Sequence, residues 1–105
     1  MEQPQIPPAR CTSLDEIRAG MDAIDREIVS LIASRVAYVR AAAKFKTSSA
    51  NVAAPERVAA VLKTRRGWAE AKGLSGDIVE SLYRDLVAYC VSEEHKQWEA
   101  DHANA

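Results

Sequence analysis

The feature that most constrains this chain is a spacing. Leu14, Ile17, Met21, Ile24, Ile28, Leu31, Arg35, Tyr38, Ala42 and Phe45 recur at alternating intervals of three and four residues. A helix brings side chains at that spacing onto one side, so the pattern predicts a seam of the coiled-coil kind. Ser13-Leu14-Asp15-Glu16 opens it as a capping box: the Ser13 hydroxyl accepts the Glu16 amide, and the Glu16 side chain reaches back. No proline follows until Pro55. One helix from about residue 13 to about 46 would be roughly 50 Å long, with Gly20 costing it about 1 kcal/mol against Ala.

Residues 1–11 hold three prolines and no periodicity, and read as a mobile tail. Thr47-Ser48-Ser49-Ala50-Asn51 reads as a polar break within a 47–54 loop. Pro55 fits the first turn of a second helix, whose apolar side carries Val58, Val61 and Leu62, with Trp68 further along. Gly73 stands where a C-terminal cap is expected. Asp77 and Glu80 read as a second capping box. Ile78, Leu82, Leu86, Tyr89 and Trp98, with Val79, Tyr83, Val87 and Val91 beside them, mark a third helix to about residue 99. Residues 12–99 thus form one helical domain, and 100–105 are expected to fray. The fold class is all-α, one long helix and two shorter ones. Short partners cannot cover so long a seam, so the expectation is an intertwined homodimer with two long helices packed antiparallel.

Composition excludes other classes. Hydrophobic residues make up 48% and charged residues 28%, as in a globular protein. Fourteen basic residues stand against fifteen acidic ones, too even a balance for a nucleic-acid backbone binder. No apolar stretch is long enough to span a bilayer, and Met1-Glu2-Gln3-Pro4 is no secretory start. Cys11 and Cys90 lack metal-site or framework spacing, which points to a reducing, cytoplasmic setting. The only histidines, His95 and His102, lie near the C-terminus, so a His-based triad or metal site is not expected.

Arg35 breaks the apolar seam, and a guanidinium there must find a counter-charge. It could pair with a carboxylate of a neighbouring helix as an architectural ion pair. Lys46 follows eleven residues later; eleven helical steps end about 20° past full turns, so both cations would share one helix face about 16 Å apart, with small Ala42 between them. They could converge on a small anion. Arg18 lies about 25 Å away along the helix and could reach such a ligand only from the partner of an antiparallel dimer. Taken singly, Arg18 and Lys46 also read as solvated helix charges. Val87, Val91 and Glu94 sit at i, i+4 and i+7, which brings Glu94 near the apolar stripe, although the pattern does not decide between Glu93 and Glu94.

Ile24-Asp25-Arg26-Glu27-Ile28, Arg35-Val36-Ala37-Tyr38-Val39, Ala43-Lys44-Phe45-Lys46, Pro55-Glu56-Arg57-Val58 and Glu93-Glu94-His95-Lys96-Gln97-Trp98 resemble the all-helical chorismate mutases. The resemblance is nearest to the branch of isochorismate-pyruvate lyases that make salicylate for siderophores, and it covers about residues 11–99. It implies an intertwined homodimer of three-helix subunits acting on a dicarboxylate, isochorismate or chorismate, by pericyclic chemistry with neither metal nor organic cofactor. Arg18 from the partner subunit and Arg35 match the arginines that hold the two carboxylates, which suits the bidentate grip of a guanidinium. Lys46 matches the lysine that reaches a carboxylate and the ether oxygen. Ala42, Val61, Val87 and Val91 match pocket-lining positions, each equally readable as core. Cys90, one turn before Glu94, edges the same region, although a small buried hydrophobe is its simpler reading.

Two departures matter. Many mutases have Arg-Glu where this chain has Arg57-Val58, and that Glu accepts from the substrate's ring hydroxyl; Val58 favours the lyase. The family usually has Gln at Glu94, donating to the ether oxygen, whereas an ionised Glu only accepts. An apolar pocket would raise the Glu94 pKa unless Lys46 holds it ionised. The expectation is activity that improves as pH falls, and a Glu94→Gln variant with a flatter profile. A dedicated chorismate mutase and a non-catalytic helical dimer binding a small dicarboxylate remain open at this point.

Overall fold

The computed structural model describes residues 6–103. Four α-helices follow in order: α1 (Leu14–Ala42), α2 (Ser49–Ala53), α3 (Pro55–Ala71) and α4 (Gly76–His102). Short 3-10 turns occupy Pro8–Arg10 and Ala43–Phe45. Among the described residues there is no strand, and no helix is long and apolar enough to cross a membrane. The three main helices of the expected all-α fold are present, but α4, at 27 residues, is nearly as long as α1, at 29, rather than short. The chain divides after Arg35 into two compact units.

In the first unit the helix start follows its local chemistry. The Glu16 amide donates to Ser13 Oγ at 3.1 Å, and the Glu16 carboxylate accepts from the Thr12 amide at 2.7 Å and the Thr12 hydroxyl at 3.0 Å. The Thr12 amide bond is the main reason the Glu16 carboxyl sits below its ordinary value. Residues 1–5 of the expected tail lie outside the described residues. Of the remainder, Pro8–Arg10 form a 3-10 turn closed by the Arg10 amide on Pro7 O at 2.9 Å. Ile6, Pro7, Cys11, Ile17, Met21 and Ile24 line an apolar groove of about 340 Å³. Along α1 in this unit Ala23 is buried, while Leu14, Met21, Ile24, Ile28 and Leu31 are exposed.

In the second unit α3 and α4 pack side by side, and α4 also contacts α2 and the Ala43–Phe45 turn. The buried core comprises Val36, Ala43, Val52, Val61, Leu62, Ala69, Val87 and Cys90. The α3–α4 turn is closed by Gly73 in the left-handed region, φ 77°. Its amide donates to Glu70 O at 3.0 Å, and the Leu74 amide donates to Ala69 O at 2.9 Å. This pair of bonds is the Schellman arrangement, for which glycine is suited because it lacks a Cβ.

Four sequence expectations need correction. The first helix does not run on to residue 46. It ends at Ala42 and tightens into a 3-10 turn over Ala43–Phe45, leaving Lys46 extended (φ −94°, ψ 132°). The polar break contains a helical turn, α2, because Ser48 caps it by accepting the Asn51 amide. The cap of α4 is Ser75, which accepts from the Ile78 amide at 3.2 Å; no Asp77–Glu80 box forms there. Asp77 instead pairs with Arg66 at 2.6 Å, which raises the Arg66 pKa. Finally, α4 runs to His102, past the expected end near 99.

Candidate active site

The structure brings Lys46 and Glu94 together. Lys46 Nζ stands 3.2 Å from Glu94 Oε2. Glu94, on α4, is 4% exposed and is the buried carboxylate of this unit. That settles which of the two adjacent glutamates faces inward. Glu93 turns outward to pair with Arg40 and, at 3.0 Å, with Lys96. Lys96 and then Arg40 hold the Glu93 carboxyl below its ordinary value. Of the two environments weighed for Glu94, the Lys46 partner is present, beside a carboxylate that is buried.

Lys46 reaches Glu94 because α1 stops where it does. The extended backbone at Lys46 releases the side chain from the helix surface, so the shared helix face drawn for Arg35 and Lys46 does not exist. Lys46 Nζ also donates to Asn51 O at 3.2 Å. Asn51 Nδ2 in turn donates to Thr47 Oγ1 at 3.0 Å, and the Asn51 amide to Ser48 O at 3.1 Å. Asn51 thus holds the ammonium through its carbonyl and is itself held by Thr47 and Ser48. Trp98 Nε1 donates to Lys46 O at 3.0 Å.

The contact between Lys46 and Glu94 is at ion-pair distance but off the angle of a hydrogen bond. Glu94 Oε2 is buried and accepts no hydrogen bond among the described residues. An under-satisfied buried carboxylate is costly. The ammonium carries three protons, and one of them is bound to Asn51 O. The arrangement is a cation with donor capacity to spare beside a carboxylate with acceptor capacity to spare. An entering anion can use the spare donors of the ammonium, whereas the carboxylate, which only accepts, needs a donor such as a hydroxyl.

The other sequence-predicted residues take these places. Ala42, half-buried, is the last residue of α1. Val58, half-buried, and Val61, buried, lie on α3. Val87 and Cys90 are buried on α4, and Val91 is half-buried. Arg18 and Arg35 belong to the first unit. Arg18 is exposed, and Arg35 is half-buried and engaged in an interaction of its own. Sequence reasoning missed the Asn51 carbonyl and the Trp98 donor. The second left a signal, since Trp98 lies four residues after Glu94 and so on the same face of α4.

Residues 17–95 match the family description of chorismate mutase type II. This chain belongs to the type II chorismate mutase family. It is 44% identical over 91 residues to an isochorismate pyruvate lyase of Pseudomonas aeruginosa, covering 87% of this chain and 90% of that one. It is 33% identical over 85 residues to the T-protein of Haemophilus influenzae, covering 80% of this chain but 22% of the T-protein. The T-protein of Enterobacter agglomerans matches at 29% over 83 residues, again 22% of that protein's length. As a member of this family the chain carries, on Lys46 and Glu94, charged groups at two of the positions that the motif resemblance singles out.

Proposed function

We propose that the chain is a cofactor-independent pericyclic enzyme that converts isochorismate to salicylate and pyruvate, with side chorismate mutase activity. The observation that carries this reading is the 44% identity to an isochorismate pyruvate lyase along nine-tenths of that protein. The charged pair of Lys46 and Glu94 at 3.2 Å supports it. Substrate carboxylates displace Lys46 from Glu94 and engage Arg35, together with Arg18 of a second copy. A charge-assisted hydrogen bond of this kind contributes about 1.5–3 kcal/mol. Ala42, Val61, Val87, Cys90 and Val91 wall the pocket and fold the substrate into a compact conformer.

In the reaction the ether C–O bond breaks, a ring hydrogen passes to the enolpyruvyl methylene carbon, and the ring becomes aromatic as pyruvate leaves. Charge grows on the ether oxygen, and Lys46 stabilises it. No covalent nucleophile is needed. The enzyme works as a homodimer in the cytoplasm, and residues 12–99 are the catalytic domain. The exposed apolar residues of α1, Leu14, Met21, Ile24, Ile28 and Leu31, support the dimer.

A dedicated chorismate mutase is the second reading, favoured by the family match itself. Supplying the purified protein with isochorismate and, separately, chorismate at pH 5 and pH 8 decides between them. Salicylate formed faster than prephenate establishes the lyase. Prephenate formed faster makes the chain a mutase, and neither product revives the non-catalytic dimer. Val58→Glu is expected to raise the prephenate-to-salicylate ratio by about two- to twelvefold, the worth of one hydrogen bond to the chorismate hydroxyl. A ratio unmoved by this change removes Val58 from specificity.

A further inference from the structure

We infer that Trp98 is a positioning residue for Lys46, acting on its backbone; this deepens the reading of Lys46 given above and rests on it. Where α1 ends, the Lys46 carbonyl has no helical partner, because the backbone there is extended. Trp98 Nε1 supplies one from α4 at 3.0 Å. The Lys46 amide is tied separately, to Ala43 O at 3.1 Å. Both peptide groups that flank the Lys46 Cα are therefore fixed, which sets the direction in which its side chain leaves.

The far end of the same side chain meets the same helix. Glu94 and Trp98 are one turn apart on α4; the first faces the ammonium and the second holds the carbonyl. Lysine has a long stem with much rotamer freedom, so a cation that must meet a reacting oxygen gains from an anchored origin. The indole is itself held in place. It stacks on His102 with ring centroids 4.1 Å apart and an interplanar angle of 25°. His102 Nδ1 lies 2.8 Å from Trp98 O. Trp98 touches no substrate in this scheme and acts through Lys46.

Trp98→Phe keeps an aromatic ring over His102 and deletes only the donor. With the full chain and isochorismate as substrate, it is expected to lower kcat/KM about three- to tenfold, the size of one part-buried hydrogen bond. In a Lys46→Gln background the same change is expected to cost nothing further in residual salicylate formation, because the group being positioned is gone. Hydrogen exchange is expected to quicken at the amides of residues 46–51 and to stay unchanged along α3. An unaltered kcat/KM, an equal loss in both backgrounds, or faster exchange throughout α3 and α4 overturns the inference. Wild-type protein that forms neither salicylate nor prephenate fails the functional reading instead, and the exchange data then still report whether the clamp holds the segment.

Discussion

Along α3 and α4 one side of the apolar pattern finds cover within the chain, while Trp68, Ile78, Leu82 and Tyr89 stay exposed. Val61, Leu62, Ala69, Val87 and Cys90 are buried, and Cys90 is 1% exposed. Along α1 before Arg35 an equally regular apolar pattern stays open to solvent, with Ala23 the buried residue there. Periodicity alone does not distinguish the two regions, since both read as amphipathic helix. The difference lies in what is available to pack against. A stripe of large apolar side chains this long is an interaction surface, and a second copy of α1 has the matching spacing. The α3–α4 region buries a core of its own; for the α1 stripe we propose cover by a second copy.

The largest effect that can break this comparison comes from a charge in the open stripe. Ile28→Glu places a carboxylate there in both copies of a dimer. Each large apolar side chain buried contributes about 1.5–3 kcal/mol, and symmetry counts the loss twice. Sedimentation is expected to show monomers, with helical circular dichroism reduced at micromolar protein. A variant that stays dimeric and fully helical would show that α1 is not the contact. The equivalent charge at exposed Lys63→Glu on α3 is expected to leave the assembly unchanged.

A second experiment sharpens the comparison by asking whether the two regions of different copies share a site. Arg18→Ala and Lys46→Ala are each expected to lose about tenfold or more in kcat/KM. When the two variants are refolded together, half of the dimers are mixed. Each mixed dimer then holds one site with both lesions and one with neither, if Arg18 acts across subunits. Activity is expected to recover to about a quarter of wild type. If Arg18 acts within its own chain, every site keeps one lesion and nothing recovers.

How much of this was legible depended on how local the cause was. Ser13 and Glu16, Pro55 and Gly73 act within a turn of themselves, and each marks a boundary that the structure keeps. The sequence offers a Lys46 partner for Glu94 only as one of two alternatives, and its geometric argument for Lys46 concerns Arg35 instead. The helical arithmetic that aligned it with Arg35 assumed a helix to residue 46, and Ala43–Phe45 tighten into a 3-10 turn that nothing in Ala-Lys-Phe announces. Asp77 looked like a cap because its competitor Ser75 is two residues away; its carboxylate is taken by Arg66 from another helix, a long-range choice. The Trp98–Lys46 bond links residues 52 apart, beyond what spacing can show. Arg18 and Arg35 stood out by their places along the seam, but their carboxylate-holding roles came from the motif resemblance.

A smaller effect concerns the rim of the site. Glu93 is held below its ordinary value of 4.5 by Lys96 and Arg40. A lowered folded pKa means that this contribution to stability is complete above about 4.5 and is lost as pH falls through the folded value. The Glu93 side chain is 12% exposed, but Arg40 and Lys96 both reach solvent, so the effect is on the order of a degree in Tm. Between pH 6 and pH 3, Glu93→Gln is expected to lose slightly less Tm than wild type. An equal or greater loss would mean the pairs do not persist in solution.

The smallest effect separates local from associative stability. Ala54 joins α2 to α3 at φ 38° and ψ 61°, the left-handed region. A non-glycine residue there costs about 1–2 kcal/mol, and Pro55 further narrows the choices of the residue before it. Ala54→Gly relieves that strain but loosens the unfolded chain by about 0.5–1 kcal/mol. The net expectation is a gain of up to about 1 kcal/mol, a few degrees in Tm. Ala54→Val, β-branched, is expected to lower Tm instead. Because the joint belongs to the self-covered region, both shifts should be independent of protein concentration, unlike those of Ile28→Glu. A Tm lowered by Ala54→Gly would mean the left-handed turn is not adopted. A shift that grows on dilution would mean that the 47–55 segment is itself part of the contact between copies.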